Sequence, residues 1–145
     1  MNESLELVKI VYKTAKMGVY TTKKLTEMLK TKENKIKHVL EEALKEYEKH
    51  MNESKKILKK NKVALEKNSL MSKMGSEMGI KMETKKDNSD SAIAQMIIEG
   101  MTMGVVEMEA KISNYRKVVE KEVLELAENF LEFQENEIEK LKTFM

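Results

Sequence analysis

Residues 67–89, KNSLMSKMGSEMGIKMETKKDNS, separate two stretches of helical periodicity, and their length decides how those stretches assemble. The segment runs to about 23 residues, whereas helix–helix connections within a bundle are typically about 2–8 residues long. A short link would fold the following helix back antiparallel. A link this long lets the chain travel the length of the bundle first. Within it Met71, Met74, Met78 and Met82 recur at spacings of three, four and four, on one side of a helix, with Leu70 and Ile80 near by. The segment runs into Asp87-Asn88-Ser89-Asp90-Ser91, the clearest helix start in the chain, because short polar side chains cap exposed backbone N–H groups.

Working outward, apolar residues mark two helices on each side. Upstream, Leu7, Val8, Val11, Ala15, Val19, Leu25 and Leu29 form a stripe that predicts a helix over about 4–30. The polar residues from Thr31 to Asn34 supply a break and a cap. A second stripe, Ile36, Val39, Leu40, Ala43, Tyr47, Met51, Ile57 and Leu58, predicts a helix over about 34–64. Its final lysines complement the negative end of a helix dipole, which accounts for them without a nucleic acid. Downstream, Ile93, Met96, Ile97, Met101, Met108, Ile112 and Tyr115 predict a helix over about 90–115. Val123, Leu126, Ala127, Phe130, Phe133, Ile138, Leu141 and Phe144 predict the last, over about 120–143.

The first and second helices are joined tightly, as are the third and fourth, so each pair reads as an antiparallel hairpin. Two hairpins joined by one long crossover, about 67–89, give the ferritin-like form of the four-helix bundle, with the third helix parallel to the second. The expected fold is all-α, a single domain over 1–145, with a short helix in the crossover.

Composition agrees. Charged residues make up 36% of the chain, Pro is absent and there are five Gly, a balance that favours helix. With 27 Lys and Arg against 25 Asp and Glu, no global basic field invites nucleic acid or an anionic membrane. The absence of Cys removes disulfides, thiolate nucleophiles and thiolate metal sites. Without a long apolar run or a signal peptide, the expectation is a cytoplasmic protein that does not enter the membrane.

Methionine and glycine carry the next signals. Thioethers bind copper(I), a soft ion, but they also fill irregular apolar gaps. No His or Cys accompanies Met71, Met74, Met78 and Met82, and Met recurs elsewhere in the chain, so packing is the favoured reading of the ladder. Gly75 with Gly79 and Gly100 with Gly104 are spaced four apart, each pair on one helix face. A Gly inside a helix costs about 1 kcal/mol relative to Ala, so the pairs call for close approach by a neighbouring helix, a ligand or another subunit.

Di-iron bundles use a Glu on each of two helices and Glu-x-x-His on each of the other two. Here the only histidines are His38 and His50, preceded at the matching position by Lys35 and Tyr47, so the standard site is absent. A degenerate set remains. At about 100° per residue His50 falls within the apolar arc of its helix, with Glu46 one turn earlier at the edge. Gln134 and Glu137 face inward on the fourth helix, and Glu107 lies at the arc edge of the third, beside Gly100 and Met103. Tyr47-x-x-His50 and Gln134-x-x-Glu137 thus stand where Glu-x-x-His motifs would be. Counted along the axis, His50 and Glu107 each lie roughly 25 Å into parallel helices, at heights where they could meet. Glu137 lies about 10 Å nearer the other end and is expected to face Thr22, Ala43 and Gly100. A satisfied polar pair and a divalent-metal site are both compatible with these positions, and the former is favoured.

The stretch MSKMGSEMGIKMETKKDNSDSAIAQMIIEGMTMGVVEM, residues 71–108, resembles a segment of uncharacterised ferritin-like proteins of clostridia and related bacteria. TAKMG at 14–18 and LAENFLEFQENEIEKLKTF at 126–144 share in the resemblance, which implies a ferritin-like bundle. It carries over no settled activity, and the missing ligand motifs of true ferritins and rubrerythrins leave iron storage and peroxidase chemistry without support. The sequence therefore points to a non-catalytic bundle that acts through protein association, as a homo-oligomer or with another protein, and has no obligatory cofactor. The alternatives are a divalent metal at His50, Glu107, Glu46, Glu137 and Gln134, or copper(I) at the methionine ladder.

Overall fold

The computed structural model describes residues 2–65 and 88–145, and every regular element among them is an α-helix. In chain order these are α1 (Glu3–Met28), α2 (Ile36–Lys60), α3 (Asp90–Tyr115) and α4 (Lys121–Lys142). The methionine ladder, Gly75, Gly79 and the expected crossover helix lie outside the described residues.

The helix ends are set by local chemistry. Asn2 Oδ1 accepts from the Leu5 N–H (2.9 Å) and opens α1, and Ser89 Oγ accepts from the Ala92 N–H (3.2 Å) to open α3. At the end of α2, Lys62 takes a left-handed backbone (φ 58°). Its N–H then reaches Lys59 O, and the N–H of Val63 reaches Leu58 O. This paired closure satisfies carbonyls that a helix end leaves open, and it stops α2 at Lys60, short of the expected 64.

The start of α2 differs from the sequence expectation in kind. No side chain at Lys35 caps it, and Asn34 does not cap it either. The cap comes from Asp90, whose carboxylate accepts from the backbone N–H of Lys35 (3.1 Å) and of Ile36 (3.4 Å). Asn34 instead uses its amide Nδ2 to bind Asp90 Oδ1 (2.9 Å) and Asn88 O (2.8 Å). The starts of α2 and α3 are therefore tied together. At the other end of α1, Ser4 Oγ accepts from the Glu120 N–H (3.0 Å), which ties the start of α1 to the start of α4.

Packing follows the stripes. α1 lies along α2 and α3 along α4, while α4 also touches α1 and α2, and α1 touches α3. α2 and α3 barely meet. The buried side chains form two clusters: one around Leu7, Val11, Tyr47, Met108 and Phe130, the other around Leu25, Leu29, Ile36, Leu40, Met101 and Leu141. Each fully buried side chain of this size contributes about 1.5–3 kcal/mol of burial, so both clusters hold helices together. Among the described residues, no helix is long and apolar enough to cross a membrane.

Candidate functional site

A cavity of about 390 Å³ sits where the two core clusters adjoin. Ala43 and Tyr47 reach it from one cluster, and Leu40, Met101 and Leu141 from the other. Its mouth lies between α1 and α3. Thr14, Met17 and Thr21 form one lip, and Gly100, Met103, Gly104 and Glu107 form the other. Gln134 and Glu137 of α4 stand deeper, with Thr22.

The glycines shape this space in two ways. Among the described residues, a Cβ at Gly100 would meet nothing within 4 Å, and one at Gly104 would meet only Gln134 Nε2 (3.5 Å) and Thr14 Cγ2 (3.9 Å). These two therefore widen a cleft between α1 and α3, rather than allowing two backbones to touch. Gly18 does the opposite. A Cβ there would overlap ring carbons of Tyr47, so this glycine admits the ring against the α1 backbone. Tyr47 also packs against Phe133 (edge-on, centroids 4.9 Å apart) and Phe130 (6.4 Å). Burial, and then the nearby Glu137 carboxylate, push its phenol pKa up, so it stays protonated.

Two polar side chains are buried at the cavity. Gln134 is 2% exposed, and its Oε1 has no hydrogen-bond partner among the described residues. Glu137 is 4% exposed and receives a hydrogen bond from Lys140 Nζ (3.3 Å), a side chain about half exposed. Burial raises the Glu137 pKa because the charged form loses hydration. Lys140 opposes that shift, and the carboxylates of Glu42 and Glu46 add to it. The cavity thus presents apolar walls, hydroxyls, an unpaired amide oxygen and two carboxyl groups.

The residues expected as metal ligands divide between two places. Glu137 shares the cavity with Thr22, Ala43 and Gly100, and Glu107 and Gln134 line it too. His50 does not line it, and despite the matched count along the axis it does not meet Glu107: α2 and α3 face each other across the bundle and barely touch. His50 is buried (4% exposed) against Phe130 (5.1 Å) and stacks on Phe133 (5.7 Å). Its Nδ1 lies 2.9 Å from Glu46 O. A carbonyl only accepts, so Nδ1 carries the proton in that bond. Glu46 contributes its backbone there, and its side chain is exposed. His38 is exposed and pairs with Glu42 (3.1 Å). Among the described residues, no group of three or more His, Asp or Glu side chains is placed to hold a metal ion.

Gly18, against which Tyr47 packs, is the residue whose role sequence reasoning passed over. A signal was present, since a lone Gly inside a strong helical stripe carries a propensity cost of about 1 kcal/mol. No protein-family model matches the chain, and no curated protein or solved structure matches it either.

Proposed function

We propose that the chain is a non-catalytic ferritin-like bundle, kin to the clostridial proteins it resembles, that works by holding a small, largely apolar molecule between its helices. The ties between the starts of α2 and α3, and between those of α1 and α4, support two antiparallel hairpins. The observation that carries the binding reading is the cavity itself. At about 390 Å³ it falls in the range of small-molecule sites, apolar-walled with a few polar groups. Calorimetric titration with octanol is expected to give saturable binding that Gly100→Leu abolishes, since a side chain there enters the cleft without striking a neighbour. Heat traces indistinguishable from dilution, for octanol and for related octyl compounds, would sink the reading.

Association between copies is a second reading. Met103 is 76% exposed and Val106 60% exposed on the outer part of α3, an apolar surface suited to another protein. Light scattering behind size-exclusion chromatography tests it, and a strict monomer would end it. The metal alternative has its own test in elemental analysis of tag-free protein and His50→Ala. Stoichiometric metal lost in the variant would displace small-molecule binding as the function.

A further inference from the structure

We propose that the cavity takes an amphipathic amine, with its protonated head at Glu137 and Gln134 and its tail among Met17, Leu40, Ile97 and Met101. This assignment rests on the binding reading above and specifies its ligand.

The charge balance of the lining comes first. Among the described residues it contains two carboxyl groups, Glu107 at the mouth and Glu137 within, and no Lys, Arg or His. An anionic head would meet like charge in a poorly hydrated space, which is costly. A neutral hydroxyl could donate to one acceptor, yet it would leave the buried Glu137 carboxylate without a cation inside the cavity. An ammonium group answers both needs, because it carries three donors and one positive charge. Hydrogen bonds to charged partners are also roughly twice as strong as neutral ones.

Gln134 supplies the second, independent pointer. Buried amides nearly always find partners, so an amide oxygen at 2% residue exposure with none among the described residues calls for an explanation. The side chain lines the cavity, and its Nε2 lies on the Gly104 side. Rotation of the amide about its last torsion would present the oxygen to a donor in the cavity. Lys140 does not already fill this role. It reaches Glu137 from a position about half exposed, where water screens the pair.

The size of the tail follows from the volume. A cavity of about 150 Å³ holds one benzene, and this one is about 390 Å³. An eight-carbon chain with its head group is a fitting probe.

The test is a calorimetric comparison of octylamine, octanol and octanoate at neutral pH, where the amine is protonated. The full chain, Glu137→Gln and Glu107→Gln are titrated in parallel, with circular dichroism melts to show that each is folded. The amine is expected to bind the full chain roughly tenfold more tightly than octanol, the difference between a charge-assisted and a neutral hydrogen bond. Octanoate is expected to bind more weakly than octanol. Glu137→Gln is expected to erase most of the amine's advantage over octanol. Glu107→Gln, at the exposed mouth, reduces that advantage by less and remains informative should Glu137→Gln not fold. Octanol or octanoate binding as tightly as octylamine would overturn the assignment, as would an amine preference that survives in every folded variant. Binding by none of the three would bring down the binding reading itself.

Discussion

The carboxylate of Asp90, at the first position of α3, caps α2 by accepting from the backbone N–H of Lys35 at 3.1 Å. One side chain thereby satisfies helix-end donors on an element that begins 54 residues earlier, as the Ile36 contact also shows. Loss of an N-cap typically costs about 0.5–2 kcal/mol. Asp90→Ala is expected to fall at the upper end of that range, because Asn34 loses a partner too. Urea unfolding checks this, with Ser91→Ala, an exposed neighbour, as the control.

Gly18→Ala sets two effects against each other. Replacing a helical Gly with Ala ordinarily gains about 1 kcal/mol. Here the new methyl overlaps the Tyr47 ring, which is buried and packed against Phe130 and Phe133. Overpacking costs about 1–3 kcal/mol, so the net change is expected to be destabilising. In a Tyr47→Leu background the same substitution should become neutral or favourable, and a double-mutant cycle measures the difference.

Gln134→Leu is expected to stabilise the fold. The buried Oε1 lacks a partner among the described residues, and an unsatisfied buried acceptor costs about 1–3 kcal/mol that an apolar side chain of similar size does not incur. A rise in Tm of the ligand-free protein would agree. A fall would mean that the amide is paired in solution.

Glu137 makes stability depend on pH in a definite direction. Its folded pKa lies above the ordinary value of 4.5, so the folded chain holds the proton more tightly than the unfolded one. Below the unfolded value both states are protonated and the contribution is fully present. As pH rises through the folded value it is lost, because the unfolded chain gives up its proton first. The Tm of the wild type minus that of Glu137→Gln should therefore decline from about pH 4 towards neutrality. A flat difference across that range would show the carboxylate to be as well solvated as in the unfolded chain.

The elements legible in the sequence were those governed by neighbours along the chain. The stripe from Ile93 to Ile112 and the polar cluster at 87–91 locate α3, because periodicity and capping act within a few residues. Counting rise per residue also brought Glu137 to the level of Thr22, Ala43 and Gly100, with which it lines one cavity. The same counting failed for His50 and Glu107. Height along a bundle does not say which helices are neighbours, and α2 and α3 are not. The Asp90 cap was illegible for a related reason, since a carboxylate near a helix start first suggests its own helix. The cavity needed knowledge of which glycine faces touch something. Gly18 and Gly104 look alike in sequence, yet one receives an aromatic ring and the other helps to open a cleft.

The fit of Tyr47 against Gly18 also constrains how this chain can diverge. Position 18 is not free to drift alone: a larger residue there becomes tolerable only after 47 has given up its ring. A lineage that keeps the tyrosine must keep the glycine, and one that loses the glycine has already abandoned the tyrosine. Positions 18 and 47, 29 apart in the chain, are therefore expected to change in a fixed order, the ring before the glycine.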